Sequence, residues 1–574
     1  MPYQIRRLFA IILVYCSPAD PLHLWDTFTC SMSEDIQHVQ VTPAQSQNEC
    51  LISIDTLLKG MNSSLDIFHG MPLPNYNERV QLHPTVIQEE LYNTDDQEAV
   101  LLNNKPKLNQ QQQLIFDSVM SAVTTGSCTQ KLFMINSPGG CGKTYLLATI
   151  LAAVRAQGKI ALAVAPTGLA AENLEGGRTA HSRFKIPIPI SDSSMCRIAA
   201  QSNLAALMRR TTIIVWDEIM ATHRHAVECV NRTLQDLRQS QQPFGGCIVV
   251  FGGDTRQILP VVRHGSEAAI IDSSITRSEL WARCQQLPLT RNMRVNPDEV
   301  DFANFLLDIG NGRHEKVDPS NPHVMKVPSD IVATDQKALI DKVFPNLQQG
   351  YADPYFMAHR SILTPLNEHM DKINSVCVKA FPGEAHTYFS ADRVEEDNGE
   401  LSIPLEYLNS LTPSGMPPHQ LTLKLNMVVM LLRNLQAGPS EGLRNGTRLL
   451  IKSLGERMLE AEILTGTSKG TTVFLPRMPF YLRDSEFPFT MIRKQFPIRP
   501  CFSMTINKAQ GQTLDKVGIY LPNPVFTHGQ LYVAFSRVRN KDAIAICLDH
   551  PILYQQSSND SNYYTHNIVF HSIL

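Results

Sequence analysis

None of the twelve cysteines pairs with another in a C-x-x-C spacing. That argues against zinc ribbons and against a disulfide framework, and scattered thiols fit a reducing compartment. Also missing is any apolar run near the ~20 residues that cross a bilayer. Positive charge is not in excess: 51 Lys and Arg against 54 Asp and Glu leave −3. No global basic field therefore points to nucleic acid, although a narrow groove needs only local charge. Internal repeats and long low-complexity tracts are absent as well. What remains is ordinary globular composition, 43% hydrophobic and 18% charged over 574 residues, a length that suggests roughly three or four domains.

At the N-terminus, Arg6-Arg7 followed by Leu8 to Cys16 has the charged and apolar parts of a signal peptide. The apolar run is short, however, and no convincing small-residue cleavage site precedes Pro18-Ala-Asp-Pro21. The pattern predicts a buried helix over Phe9–Tyr15. The rest of residues 1–100 shows helical patches and turn residues without a chemical motif.

The most informative stretch is Lys131–Val154. Lys131–Asn136 is a short apolar run that reads as a buried strand, and Tyr145–Val154 reads as a helix. Between them stand Ser137-Pro138-Gly139-Gly140-Cys141-Gly142-Lys143-Thr144. Strand, glycine loop, Lys-Thr and helix N-terminus form a phosphate-binding loop in its required context. The loop Pro138–Thr144 would wrap an anion with the backbone N–H groups of Gly139–Thr144, at the positive end of the helix dipole. Lys143 would reach the β- and γ-phosphates of ATP, and the Thr144 hydroxyl would hold Mg²⁺. The first glycine of the usual G-x-x-x-x-G-K-T spacing is here Ser137.

Further apolar strands are expected at Ile160–Ala165, Thr212–Trp216 and Cys247–Phe251, with helices at Leu169–Leu174 and His225–Arg238 between them. Alternating buried strands and helices imply a parallel α/β sheet covered on both faces. The glutamine-rich Asn103–Gln113 reads as a polar lead-in, and Lys185–Ser194 as a small excursion. From about Arg291 the pattern restarts, with a strand at Ser361–Thr364 and a helix at Glu368–Lys379. Residues 380–495 carry short apolar runs punctuated by Pro and Gly, which suggests a β-rich insertion. A strand at Cys501–Thr505, a helix near Lys508–Thr513 and a strand at Val517–Leu521 close the pattern.

Ile213–Trp216 ends in Asp217-Glu218. At the carboxyl edge of a parallel sheet these acids would face bound phosphates. Asp217 would complete the Mg²⁺ shell and Glu218 would polarise the attacking water. Val249-Val250-Phe251 leads into Gly252-Gly-Asp-Thr-Arg-Gln257, where Gln257 at a strand tip can hydrogen-bond a γ-phosphate or its water.

Taken in order, Gly139-Gly-Cys-Gly-Lys-Thr144, Ala165-Pro-Thr-Gly-Leu-Ala-Ala171, Gly177-Arg-Thr-Ala-His-Ser182, Trp216-Asp-Glu218 and Gly252-Gly-Asp-Thr-Arg-Gln257 resemble the Pif family of superfamily-one DNA helicases. Ile362-Leu-Thr-Pro365, Thr505-Ile-Asn-Lys-Ala-Gln-Gly-Gln-Thr513 and His528-Gly-Gln-Leu-Tyr-Val-Ala-Phe-Ser-Arg537 extend the likeness from about Leu108 to the C-terminus. Arg6-Arg-Leu-Phe9, Leu24-Trp25, Arg493-Lys-Gln-Phe-Pro497 and Asn567-Ile-Val-Phe570 look most like the helicase part of Helitron transposon proteins. Thr255 replaces the aromatic usual between Asp and Arg, Ala509 a serine, and Ala221 a methionine.

The resemblance implies an α/β fold of two RecA-like phosphate-loop domains with ATP between them. Its boundaries would be an N-terminal accessory segment at 1–100 and a first RecA-like domain at 104–290 with a wedge insertion near 183–205. A second RecA-like domain would comprise 291–380 and 495–574, and the insertion 381–494 would contain an SH3-like β-subdomain. It assigns Gln112 to adenine, and Arg294 and Arg537 to the γ-phosphate. Thr167, His181, Lys508, Gln510 and Thr513 are assigned to a single-strand groove that holds phosphates without reading sequence. The implied activity is an ATP- and Mg²⁺-dependent motor, moving 5′ to 3′ and acting on single-stranded DNA and forked or tailed duplexes. It would act as a monomer without membrane attachment, in the nucleus or the mitochondrion, in repair, recombination, telomere maintenance or Helitron transposition. A nucleotide-switched clamp that does not unwind, and an inactive transposon relic, are the alternative readings.

Overall fold

Two strands of the first sheet, Ile160–Ala165 and Ile248–Gly253, are buried at every position. Such strands need cover on both faces, and they receive it. In Thr211–Trp216, Ile214 and Trp216 enter one core with Met134, Leu162 and Phe251. Ile213 and Val215 enter the opposite core with Phe133, Ile135, Ala163 and Val250. The period of two thus divides one apolar run between two layers. The sheet has six parallel strands, in the order Arg178–Thr179, Ile160–Ala165, Thr211–Trp216, Ile248–Gly253, Leu132–Asn136 and Gln285–Pro288.

The computed structural model describes residues 2–37, 42–61, 63–76, 92–125, 130–293, 300–314, 317, 321–349, 353–395, 403–435, 443–466, 468–482, 487, 489–549 and 563–574. By contacts the chain divides into Thr85–Ala380 with Phe502–Leu574, and Met1–Pro84 with Phe381–Cys501. The first unit holds the six-stranded sheet and a second parallel sheet of four strands, ordered Ser503–Thr505, Arg360–Thr364, Lys516–Leu521 and Ile544–Leu548. This is the expected α/β architecture of two phosphate-loop-type domains.

The other unit is antiparallel and helical. Five strands run in the order Thr472–Pro476, Met458–Ile463, Arg448–Leu454, Val428–Leu431 and Ile498–Pro500. A three-stranded sheet joins Ala391–Val394, Met491–Gln495 and Met478–Leu482. Helices Pro2–Ile11, Pro21–Gln37 and Pro43–Gly60 build a separate core around Phe9, Trp25, Ile54 and Leu58. Tyr15 packs against Met416, Met478 and Phe480, so the N-terminal helices and the insertion share a unit.

Three expectations shift. The N-terminal segment was expected at 1–100 on its own, but residues up to Pro84 group with the insertion and helix Thr94–Asn104 belongs with the phosphate loop. The insertion closes at Cys501 rather than 494, because Ile498–Pro500 pairs with Val428–Leu431. The helix near Lys508–Thr513 is only one 3₁₀ turn, Ile506–Ala509, with left-handed Gly511 (φ +79°) just beyond it. The polar lead-in Asn103–Gln113 runs into a helix. Helix Gln110–Thr125 begins there, and Asn109 and Gln112 each take the other's backbone N–H at 3.0 Å. Reciprocal bonds of this kind are a capping box. The described cysteines are free thiols, and no described helix is long and apolar enough to cross a membrane.

Candidate active site

Strand Leu132–Asn136 delivers the loop, and helix Lys143–Arg155 receives it. Gly140 (φ +91°) and Gly142 (φ +79°) take left-handed backbone, a region that side chains strain. At Gly142 a β-carbon would in addition collide with the Gln112 amide nitrogen. Gln112 is buried and donates to the Cys141 carbonyl at 3.2 Å, so the residue assigned to adenine sits against the loop. The Met293 N–H donates to the Gly140 carbonyl at 2.8 Å.

The acid pair lies one strand further along, on Thr211–Trp216, with Ile248–Gly253 between. Lys143 must cross that intervening strand to reach it. Gly252 makes the crossing possible: a β-carbon there would lie 2.9 Å from Asp217 Oδ1 and 3.3 Å from Lys143 Cδ. The Lys143 ammonium bonds Asp217 Oδ1 and lies 3.2 Å from Glu218 Oε1. Glu218 stands in left-handed backbone (φ +51°), an outlier of the sort concentrated at functional sites.

Electrostatically the three groups act together. Burial opposes the Lys143 charge, but Asp217 and Glu218 outweigh it and hold the ammonium above its ordinary range. Burial and the Glu218 charge push Asp217 up despite Lys143. For Glu218, burial pulls upward, yet Lys143, Arg537 and the Gln510 amide keep its carboxyl below the usual value. Glu218 is therefore the carboxylate held ready to accept a hydrogen bond or proton.

The second sheet's elements meet this edge at several points. Gln510 Nε2 donates to Glu218 Oε2 at 3.3 Å, so a residue assigned to the strand groove touches the acid pair. Arg537 is buried, donating to the carbonyls of Val533 (2.8 Å) and Gln512 (3.1 Å) and to Ser536 Oγ (2.8 Å), while its charge reaches Glu218. Buried Gln257 has its Oε1 without a hydrogen-bond partner among the described residues. A buried amide oxygen left over in this way suits a site completed by a ligand or its water.

Sequence reasoning missed Tyr532. From helix Gln530–Phe535 its hydroxyl donates to Asp254 Oδ2 at 2.7 Å and accepts the Gly139 N–H at 3.3 Å. Burial, then the Asp254 charge, raises its pKa well above the ordinary phenol value, so the hydroxyl stays protonated. His528 adds a second link: Nδ1 accepts the Phe570 N–H at 2.9 Å, which leaves Nε2 to donate to the Thr255 carbonyl at 2.9 Å. Asp254 in turn accepts from Arg256 N and Nη1, both at 3.1 Å. The only sequence signal for Tyr532 was its place inside His528–Arg537.

The remaining expected residues are more dispersed. Thr144 is half-buried at the helix start and Asp217 is buried. Thr167 caps helix Gly168–Glu172 by accepting from Ala170 N at 3.3 Å. His181 is exposed on Ala180–Phe184. Lys508 lies within the 506–509 turn and Thr513 beyond it, both half-buried. Arg294 lies outside the described residues.

Residues 107–320 match the family model described as PIF1-like helicase, and residues 406–454 match that of the 2B domain of the DNA helicase Pif1. Over those two segments the chain resembles PIF1-like helicases. The ATP-dependent DNA helicase PIF1 of Homo sapiens is 27% identical over 454 residues, which cover 78% of this chain and 62% of that protein. The ATP-dependent DNA helicase Pif1 of Bdellovibrio bacteriovorus is 26% identical over 414 residues, 70% of this chain and 80% of that one. The chain thus spans less than two thirds of its human relative's length. In fold it resembles the crystal structure of Bacteroides Pif1 bound to single-stranded DNA, with a TM-score of 0.56 and 22% identity over 77% of this chain and 92% of the other.

Proposed function

We propose that this chain is a PIF1-like, ATP- and Mg²⁺-dependent DNA helicase that moves 5′ to 3′ along single-stranded DNA and opens forked or tailed duplex ahead of it. The observation that carries the reading is the convergence on one sheet edge of Lys143, Asp217 and Glu218 with Gln510 and Arg537 from the second sheet. Hydrolysis at such an edge is coupled to the approach of two domains, and that coupling is what a motor requires. The names of the relatives, ATP-dependent DNA helicases, support the same reading.

The residues present fit nucleotide and metal. Backbone N–H groups of 139–144 would cradle phosphate, and Gln112 would sit on the base side. Thr144 and Asp217 would hold Mg²⁺, which supplies charge neutralisation on the phosphates when bound. Lys143 would exchange its carboxylate partners for phosphate oxygens. Glu218, kept ionised, would orient the attacking water, and Gln257 would offer its spare oxygen to that water. Arg537, with Arg294, would stabilise charge developing on the γ-phosphoryl. Thr167, His181, Lys508 and Thr513 would line the single-strand track, and Gln510 would link that track to Glu218. The protein would act as a nuclear or mitochondrial monomer, in repair, recombination, telomere maintenance or Helitron transposition.

Strand displacement on matched 5′- and 3′-tailed duplexes tests the reading. Displacement of the 5′-tailed substrate alone is expected, with ATP consumed. Hydrolysis without displacement would identify a nucleotide-switched clamp instead, and no DNA-stimulated hydrolysis would identify a relic.

A further inference from the structure

Helix Arg224–Leu237 leaves the acid pair with one face buried, at Ala226, Val227, Val230, Thr233, Leu234 and Leu237. Its other face lines a cleft of about 600 Å³, whose far wall is the segment from Arg277 to Arg283. Four arginines line this cleft, Arg224, Arg232, Arg277 and Arg283, against two carboxylates, Glu228 and Glu279.

The four guanidinium groups are not equivalent. Arg224 is engaged by Asp272 at 3.0 Å and Glu228 at 3.7 Å. Arg232 donates through Nε (3.3 Å) and Nη2 (2.8 Å) to the Ser194 carbonyl, which ties the cleft to the 183–205 excursion. Arg277 and Arg283 are exposed, and their side chains have no hydrogen bond or ion pair among the described residues. Two uncommitted guanidinium forks in one polar concavity match phosphate oxygens bidentately, which a lysine could not do. The space is too large for a single phosphate and suits a stretch of backbone.

We propose that this cleft holds the phosphodiester backbone of duplex DNA beside the excursion, at a contact separate from the single-strand track. The assignment rests on the helicase reading, in which the excursion meets the unopened duplex. Arg277 and Arg283 supply the charge, while Arg232 fixes the cleft to the excursion.

The test compares the full-length wild type with Arg277→Ala/Arg283→Ala, by anisotropy of a blunt duplex across a salt series. Loss of two phosphate contacts should weaken duplex binding roughly tenfold and flatten the slope of log affinity against log salt by about 1.8. Arg277→Lys/Arg283→Lys should keep most of the slope with intermediate affinity. Single-strand-stimulated ATP hydrolysis should be unchanged in both variants. Equal duplex affinity and slope in wild type and the alanine variant would overturn the proposal, as would displacement of duplex from this cleft by millimolar inorganic phosphate alone. If the wild type hydrolyses no ATP with single strands, the helicase reading fails, yet the duplex comparison is still read on its own.

Discussion

Arg493, in the β-rich unit, and Lys143, at the phosphate loop, are both cations sunk beside carboxylates, and their surroundings differ in kind. Arg493 and Asp392 are fully buried, with Nη2 2.7 Å from Oδ2 and Nε 3.0 Å from Oδ1. The guanidinium also donates to the carbonyls of Leu408 (3.0 Å), Leu411 (3.1 Å) and Pro417 (3.3 Å). Every nitrogen is used, and the cluster closes on itself. Lys143 instead shares one ammonium between two carboxylates, one of them on a residue in left-handed backbone. A buried charge whose bonds are all made inside the protein holds a fold. One that leaves polar capacity over is waiting for something else.

The largest expected effect separates the two directly. Lys143→Ala should abolish ATP hydrolysis while leaving single-strand binding close to wild type. If the variant hydrolyses ATP near the wild-type rate, Lys143 is not the phosphate lysine.

Arg493→Met is the reciprocal test. Removing one member of a buried pair strands the other, at a cost of about 3–5 kcal/mol, read as a lower urea midpoint for the β-rich unit. Hydrolysis per folded molecule should not change. A variant of normal stability would show that the closed cluster contributes little, and the contrast with Lys143 would lose one side.

Glu218→Gln should keep nucleotide affinity but slow turnover on the order of 10²-fold or more, since Thr144 and Asp217 are untouched. Equal losses in affinity and turnover would make Glu218 a binding group. Tyr532→Phe comes next. It deletes the hydroxyl between Asp254 and the Gly139 N–H, and a hydrogen bond to a charged group contributes about 1.5–3 kcal/mol. Steady-state hydrolysis should fall roughly tenfold, with single-strand binding retained. An unchanged rate would mean that this link is packing only.

The contrast also explains what could be read in advance. The phosphate loop, the acid pair and the doubly covered strands were legible because each is local: apolar run, glycines and charged tip lie within a few residues. Arg493 was singled out only as part of Arg493-Lys-Gln-Phe-Pro497, and its role needed the fold. Gln495 is similar, donating to the carbonyls of Tyr388 (2.9 Å) and His419 (3.2 Å). Tyr532 with Asp254, and Gln510 with Glu218, join residues 278 and 292 positions apart. No periodicity encodes such a pairing. The same holds for the N-terminal helices, whose apolar faces announce burial but not the insertion they share a unit with. Gly252 was visible as a glycine, and only the register of three strands shows why Lys143 needs it.

Ser137 is where the smallest effect is expected, although it is the sharpest departure in the loop. The usual glycine there avoids a strained turn, yet Pro138 restricts the residue before it to extended backbone, and Ser137 is not among the residues with left-handed φ. Its N–H donates to the Gly253 carbonyl at 2.9 Å, and its buried hydroxyl donates to the Pro138 carbonyl at 3.2 Å. The side chain is thus occupied by its own neighbour and adds nothing the phosphates would meet. Ser137→Gly should shift kcat and KM for ATP by less than about threefold, well under 1 kcal/mol. Gly142→Ser, five positions on, should be severely damaging, because left-handed backbone and the Gln112 amide both exclude a β-carbon there. A large gain in activity from Ser137→Gly would mark the loop as partly decayed, and would place its serine with strain rather than with the closed, satisfied contacts of Arg493.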